Sequence, residues 1–267
     1  MAIKDLIKNK KALIKKKRSM PAKYSLPVGS VEASEGIKIA TPKAIQKNDG
    51  ALSGRKYVDV KVIANLSGWM DEDDDVILRG AYSKSINDKP ADMFPFLKDH
   101  TYKMDSIIAD TLEVMTQDMT MNDLGYNSRK VCQALIFRGR VWENYDKGMY
   151  AKYMNGAVKQ HSIGLRYVKG RIELAVNDPD YDEEYRVWQR YVDQVVNIDK
   201  AMEKGYFWAI QEIQLLENSA VVFGSNRMTP TIEVATPSEA ANDSTSEQGE
   251  KAANDSTFDI VQFLKCI

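Results

Sequence analysis

In "YVDVKVIANLSGW", Val58, Val60 and Val62 alternate with Asp59 and Lys61. A two-residue period commits the stretch to a strand with one face buried. Four later segments read as strands as well: "DSIIADTLEVM", "RKVCQALIFRGRV", "KQHSIGLRYVKGRIEL" and "AIQEIQLLENSAVVF". Helices fall between them. "GAYSKSIND" is one, and "ENYDKGMYAKYMNG" is another, with Gly156 suited to cap its C-terminus. A longer one, "YDEEYRVWQRYVDQVVNIDKAMEKG", sets Tyr185, Trp188, Val192, Val195 and Met202 on one stripe. Strands in series with helices at irregular spacing, without regular βαβ units, predict an α+β fold with a barrel or sheet core flanked by helices.

Charge divides the chain further. The formal net charge is only -1, yet Lys and Arg crowd the first 18 residues while 233–250 is acidic and rich in Ser, Thr and Ala. Such asymmetry marks tails with partners of their own. Residues 1–20 can form a basic amphipathic helix, with Ile3, Leu6, Ile7, Leu13 and Ile14 on one face. Residues 21–54 read as a Pro/Gly/Ser-rich linker with one strand candidate, "GIKIA", and the folded domain as 55–232. In the tail, 233–267, "AANDST" occurs at 240–245 and again at 252–257, before a small apolar cluster in "FDIVQFLKCI". No run approaches the roughly 18 apolar residues of a membrane span, and the basic start lacks an apolar signal core. Cys132 and Cys266 lie far apart with no CxxC spacing, which predicts no disulfide framework or zinc site and a reducing, intracellular setting.

The chemistry narrows to a few residues. "DEDDD" at 71–75 resembles a calcium loop, but Val76 stands where the loop needs glycine and Tyr82 where it needs glutamate, so an acidic turn is expected. Cys132 sits mid-strand in "KVCQALIF", where a thiol is expected to be inert core. The histidines are His100 and His161, and His161 directly precedes Ser162. On a strand these two side chains diverge, so a base for Ser162 has to come from far along the chain, and His100 is the remaining candidate.

Four segments occur in order: "GWMDEDDDVILRGAYSKSI", "PFLKDH", "GAVKQHSIGLRY" and "LLENSAVVFGSN". Together, over about residues 57–232, they resemble the caudovirus prohead (capsid maturation) serine protease family, of the herpesvirus assemblin-like clan. That family shows an Asp-containing turn before a V-[IL]-x-x-G-A-[FY]-x-x-S-[LI] helix. A histidine then ends an apolar strand, a serine leads an S-I-G-[FL] strand, and a glutamate opens an E-x-S-x-V-x-F-x-x-N segment. The resemblance implies a mainly antiparallel β-barrel core with flexible N- and C-terminal tails, and places the catalytic histidine on His100, the nucleophile on Ser162 and a third member on Glu217. Three departures stand out. His161 replaces an apolar residue, Gly224-Ser225-Asn226 replaces Pro-Ala-Asn, and a helix at roughly 181–205 is inserted. Because assemblin proteases use a second histidine as third member, His161 or another carboxylate stays open beside Glu217.

A serine needs a base to become nucleophilic, histidine serves near neutrality, and a carboxylate fixes its tautomer. Arg166 and the amides around Ile163 and Gly164 are candidates for holding the oxyanion, with Arg166 equally readable as a surface charge. No metal or cofactor is expected. The resemblance further implies a serine endopeptidase inside the procapsid in the host cytoplasm. It would cut scaffold and the leader of the major capsid protein, and its own exposed tails; assemblin-like relatives are dimers, so a homodimer is expected. The competing expectation is a non-catalytic scaffolding or capsid-assembly protein that kept the fold. Nucleic-acid contact through the basic leader, recognisable by steep salt dependence, is secondary.

Overall fold

The computed structural model describes residues 2–19 and 55–236. The linker with its "GIKIA" strand candidate and the C-terminal repeat lie outside the described residues.

The Val58/Val60/Val62 alternation becomes β1 (Tyr57–Leu66), with those three side chains buried and the intervening ones half-buried. β1 is flanked by β10 (Thr231–Ala235) and β5 (Val131–Trp142), both antiparallel to it. Its register with β5 places Asp59 opposite Arg140, whose Nε and Nη2 donate to the two carboxylate oxygens at 2.7 and 2.8 Å. A fork-on-carboxylate pair of this kind pins register as well as adding energy. Beyond β5 come β4 (Ile107–Thr120), β3 (Phe96–Lys98), β9 (Ile213–Val221) and β6 (Gln160–Tyr167). The order is β10-β1-β5-β4-β3-β9-β6, antiparallel throughout except that β3 runs parallel to β9. A second sheet holds β2 (Asp75–Ile77), β8 (Tyr206–Ile210) and β7 (Ile172–Val176) in the order β2-β8-β7. The fold is α+β with a mostly antiparallel sheet.

The expected barrel does not close. The edge strands are β10 and β6, and no ladder joins them. The two edges come together at isolated points near their starts: His161 N of β6 donates to Thr229 O before β10, and Thr231 Oγ1 of β10 to Val158 O before β6, at 3.0 and 2.7 Å. Between these contacts stands Pro230, which has no N–H to offer. The seam between β6 and the β10–β1 edge therefore stays open.

Helices cover the sheets: α1 (Ile3–Ser19), α2 (Ser83–Asp88), α3 (Lys147–Met154), α4 (Asp182–Tyr191) and α5 (Ile198–Lys204). Gly156 adopts φ +64 just past α3, the left-handed stop expected of it. The long helix expected over 181–205 is instead α4 and α5, parted by a 3-10 turn and Val195–Asn197. Asn197 breaks it by using its side chain elsewhere, accepting from Met70 N at 2.8 Å and donating to Met70 O at 3.0 Å. The break rotates Met202 off the stripe to 54% exposure and buries Ala201 in its place. The leader forms a helix as its periodicity predicts, but it is no free tail: Leu6 is buried, and Ile3, Ile7, Leu13 and Ile14 pack on the main core. No helix among the described residues is long and apolar enough to cross a membrane.

Candidate functional site

β3 is short, and it is set by packing. A Cβ at Gly139 of β5 would stand 2.6 Å from the Phe96 ring, so only glycine there lets Phe96 sink into the core. With β3 fixed, the chain after Lys98 turns sharply. Asp99 and His100 take φ 52 and 50, left-handed values that cost a non-glycine residue of order 1 kcal/mol each. Backbone hydrogen bonds hold the turn: Asp99 N donates to Ala220 O at 2.9 Å and Thr101 N to Lys98 O at 3.1 Å. His100 N also donates to Ser219 Oγ at 3.1 Å. The turn throws the imidazole back over β9.

There His100 Nδ1 lies 2.7 Å from Glu217 Oε1. The Glu217 side chain is 0% exposed and that of His100 7% exposed. The other carboxylate oxygen, Oε2, accepts from Ser219 Oγ at 2.7 Å. A buried carboxylate is tolerable only when so satisfied. Because the carboxylate accepts, Nδ1 carries the proton and Nε2 becomes the basic nitrogen.

β6 brings the serine to this pair. Its register on β9 sets Ser162 opposite Ser219 and Gly164 opposite Glu217. Directly opposed residues project from the same face with Cβ atoms about 5 Å apart. Ser162, half-exposed, thus shares a face with the buried Glu217, Ser219 and His100. The three candidates, 62 and 55 positions apart in order along the chain, fall on one side of one sheet.

His161 points the other way. It is 0% exposed, pairs with Ala220, stacks on Tyr153 and meets the edge of Phe96. Its Nδ1 lies 3.2 Å from the Thr229 carbonyl oxygen, which can only accept, so Nε2 accepts from Tyr153 Oη at 3.0 Å. Burial pushes its pKa down to about 4, leaving it neutral. It is a core residue on the far face of β6.

The oxyanion candidates divide. The bond from His161 N to Thr229 O points away from β9, so alternation along the strand turns the Ile163 amide to the same outer edge. The Gly164 amide faces β9 and is taken up by the ladder. Gly164 matters for space instead: a Cβ there would stand 2.3 Å from Glu217 Oε1 and 2.4 Å from Tyr102 Oη. Gly164→Ala is expected to cost about 1–3 kcal/mol of unfolding free energy through overpacking, measurable by urea denaturation. An unchanged midpoint would show that the pocket yields. Arg166 is exposed at the rim, close enough for its charge to act on Tyr102.

Two features are not legible in the sequence. Ser219 braces both Glu217 and the His100 backbone, and the E-x-S spacing that sets it on the face of Glu217 was its available signal. Tyr102 Oη is buried beside Glu217 with no hydrogen-bond partner among the described residues. Burial, and then the Glu217 charge, raise its pKa and keep it a protonated donor. The loop after β9 carries the Gly224-Ser225-Asn226 departure noted in the sequence. Val222 and Phe223 are exposed there, Phe223 by 87%. Gly224 N then donates to Gln160 Oε1 at 3.0 Å, and Asn226 Nδ2 to Leu66 O at 3.1 Å. Asn226 so ties Gly224-Ser225-Asn226, the departing motif, to the end of β1. A narrow crevice runs between that loop, the end of β1 and β6, lined by Ser162, Ile163, Tyr167, Asp75, Ser225 and Asn226.

A roomier groove beside Phe94, Met104, Ile107 and Tyr145 carries none of the three candidates; the crevice carries Ser162, with His100 and Glu217 outside its lining. "DEDDD" is a turn built by Asp71, whose Oδ1 accepts from Asp73 N and Asp75 N at 2.8 and 3.1 Å. Cys132 is buried in β5, its thiol pushed up to about 11 by burial, as suits an inert core residue. Comparisons of the chain with models of protein families, with curated proteins and with solved structures each gave no match.

Proposed function

We propose that the chain is a serine endopeptidase of the prohead-maturation type, with Ser162 as nucleophile, His100 as general base and then acid, and Glu217 as the orienting carboxylate. The observation that carries the reading is the buried 2.7 Å contact of His100 Nδ1 with Glu217 Oε1 on the face that also bears Ser162. As Ser162 Oγ attacks the scissile carbonyl carbon, its proton passes to His100 Nε2. Glu217 holds Nδ1–H and stabilises the imidazolium that forms. The carbonyl oxygen gains the negative charge, for which the outward Ile163 amide, next after the nucleophile, is the backbone donor assigned. Collapse breaks the C–N bond, and His100 returns the proton to the leaving amine. Water, deprotonated by the same nitrogen, then releases the acyl group from Ser162.

The four-motif resemblance supplies the biology of the proposal. Substrates are the scaffold, the leader of the major capsid protein and the chain's own tails, inside the procapsid in the host cytoplasm, with a homodimer as working form. The chemical core is testable without knowing the substrate. A fluorophosphonate is expected to form one adduct, on Ser162, found by peptide mass spectrometry, and at least 100-fold more slowly in His100→Gln. Equal labelling of other serines, or labelling indifferent to His100, overturns the assignment.

A further inference from the structure

The C-terminal end of α1 is held near this site through Lys17. Lys17, near its C-terminal end, reaches Asp75, with Nζ 2.5 Å from Oδ1. The same ammonium donates to Asp73 O at 3.2 Å and lies 5.8 and 5.5 Å from the ring centroids of Tyr167 and Trp208. Tyr167 Oη donates to the second oxygen of Asp75. The Asp75 side chain is 3% exposed and that of Lys17 15% exposed. Carboxylate, carbonyl and two aromatic faces together make a receptacle for an alkylammonium. Its wall is shared: Asp75 and Tyr167 also line the crevice that holds Ser162.

The rest of α1 packs through apolar contacts, with Leu6 buried and Ile3, Ile7, Leu13 and Ile14 against the main core, and Lys10 adds a pair to Glu184. Burial raises the Asp75 carboxyl to about 6 even though Lys17 pulls it down, so a cation in the receptacle favours its ionised form.

We infer that the Asp75–Tyr167–Trp208 receptacle is a lysine-recognition subsite bordering Ser162, occupied in cis by Lys17 of α1 and, once α1 leaves, by a lysine side chain of a peptide bound in the crevice. The inference rests on the proteolytic reading for its purpose, but the receptacle is tested apart from it. The full chain carrying Lys17→Met is mixed with acetyl-Ala-Lys-Ala-amide or with the same peptide bearing norleucine in place of lysine. The lysyl peptide is expected to slow fluorophosphonate labelling of Ser162 at least tenfold at saturation and the norleucyl peptide less than twofold. Adding Asp75→Asn is expected to abolish the difference. Independently of any substitution, hydrogen exchange of α1 amides in the unaltered chain is expected to accelerate with millimolar lysyl but not norleucyl peptide. Should both peptides act alike in both measurements, Lys17–Asp75 is a structural ion pair only. Failure of labelling without peptide counts against the protease reading, and leaves the exchange measurement to decide the receptacle.

Discussion

Alanine in place of Ser162 is expected to leave scaffold and capsid protein uncut and to lower peptide-bond hydrolysis by about 10⁴- to 10⁶-fold. The loss is this large because attack, proton transfer and acyl-enzyme formation all pass through one oxygen, so removing it disables the set as a unit. Stability should hardly move. Ser162 is half-exposed, and its side chain is not among those bracing the His100 turn, which depends on Ser219. Co-expression with the capsid protein, followed by gel and intact-mass measurement, reads the cleavage, and a thermal melt reads the fold. If proheads assembled with Ser162→Ala mature normally and their capsid protein is trimmed, the chain is a scaffold-type protein that retains the fold without the chemistry.

The second large effect is expected at Glu217→Gln. The amide matches the carboxylate in size, so it fits the space Gly164 leaves. Its NH₂ can donate to Nδ1, which sends the imidazole proton to Nε2, the nitrogen that must accept from Ser162. A comparable acid-to-amide change in other triads lowers turnover about 10⁴-fold, with geometry intact. A loss of about 10²- to 10⁴-fold in kcat, with KM within threefold, is expected here. Stability should stay within about 2 kcal/mol, since exchanging a buried charge for an amide removes its desolvation cost while losing one charge-assisted bond. Activity within fivefold of the unaltered chain would remove Glu217 from the mechanism.

The strands, the Gly156 stop and the acidic turn were legible because each follows from local rules: a two-residue period, a left-handed cap, and carboxylates next to backbone amides. The divergence of His161 from Ser162 was legible for the same reason. Where reading stopped, distance along the chain was the cause. The parallel pairing of β3 with β9 joins Phe96 to Asn218, and nothing near either residue announces the other. The helix break at Asn197 depends on Met70, and the end of α1 is held by a carboxylate 58 positions away. Tyr102 has the identity of an ordinary turn residue; what distinguishes it is the absence of a Cβ at Gly164, across the sheet.

The missing closure between β6 and the β10–β1 edge has a consequence for what the proposed enzyme would read. In a sealed cylinder every amide on the outer side of β6 would be spent on its neighbour. Here the His161 amide is taken by Thr229 O while the Ile163 amide turns to the same outer side beside the nucleophile, where in the proposed enzyme a substrate backbone would pair. Recognition by main-chain pairing is largely indifferent to residue identity. Discrimination between cleavage points would then fall to the few side chains that dip from that backbone into the flanking recesses.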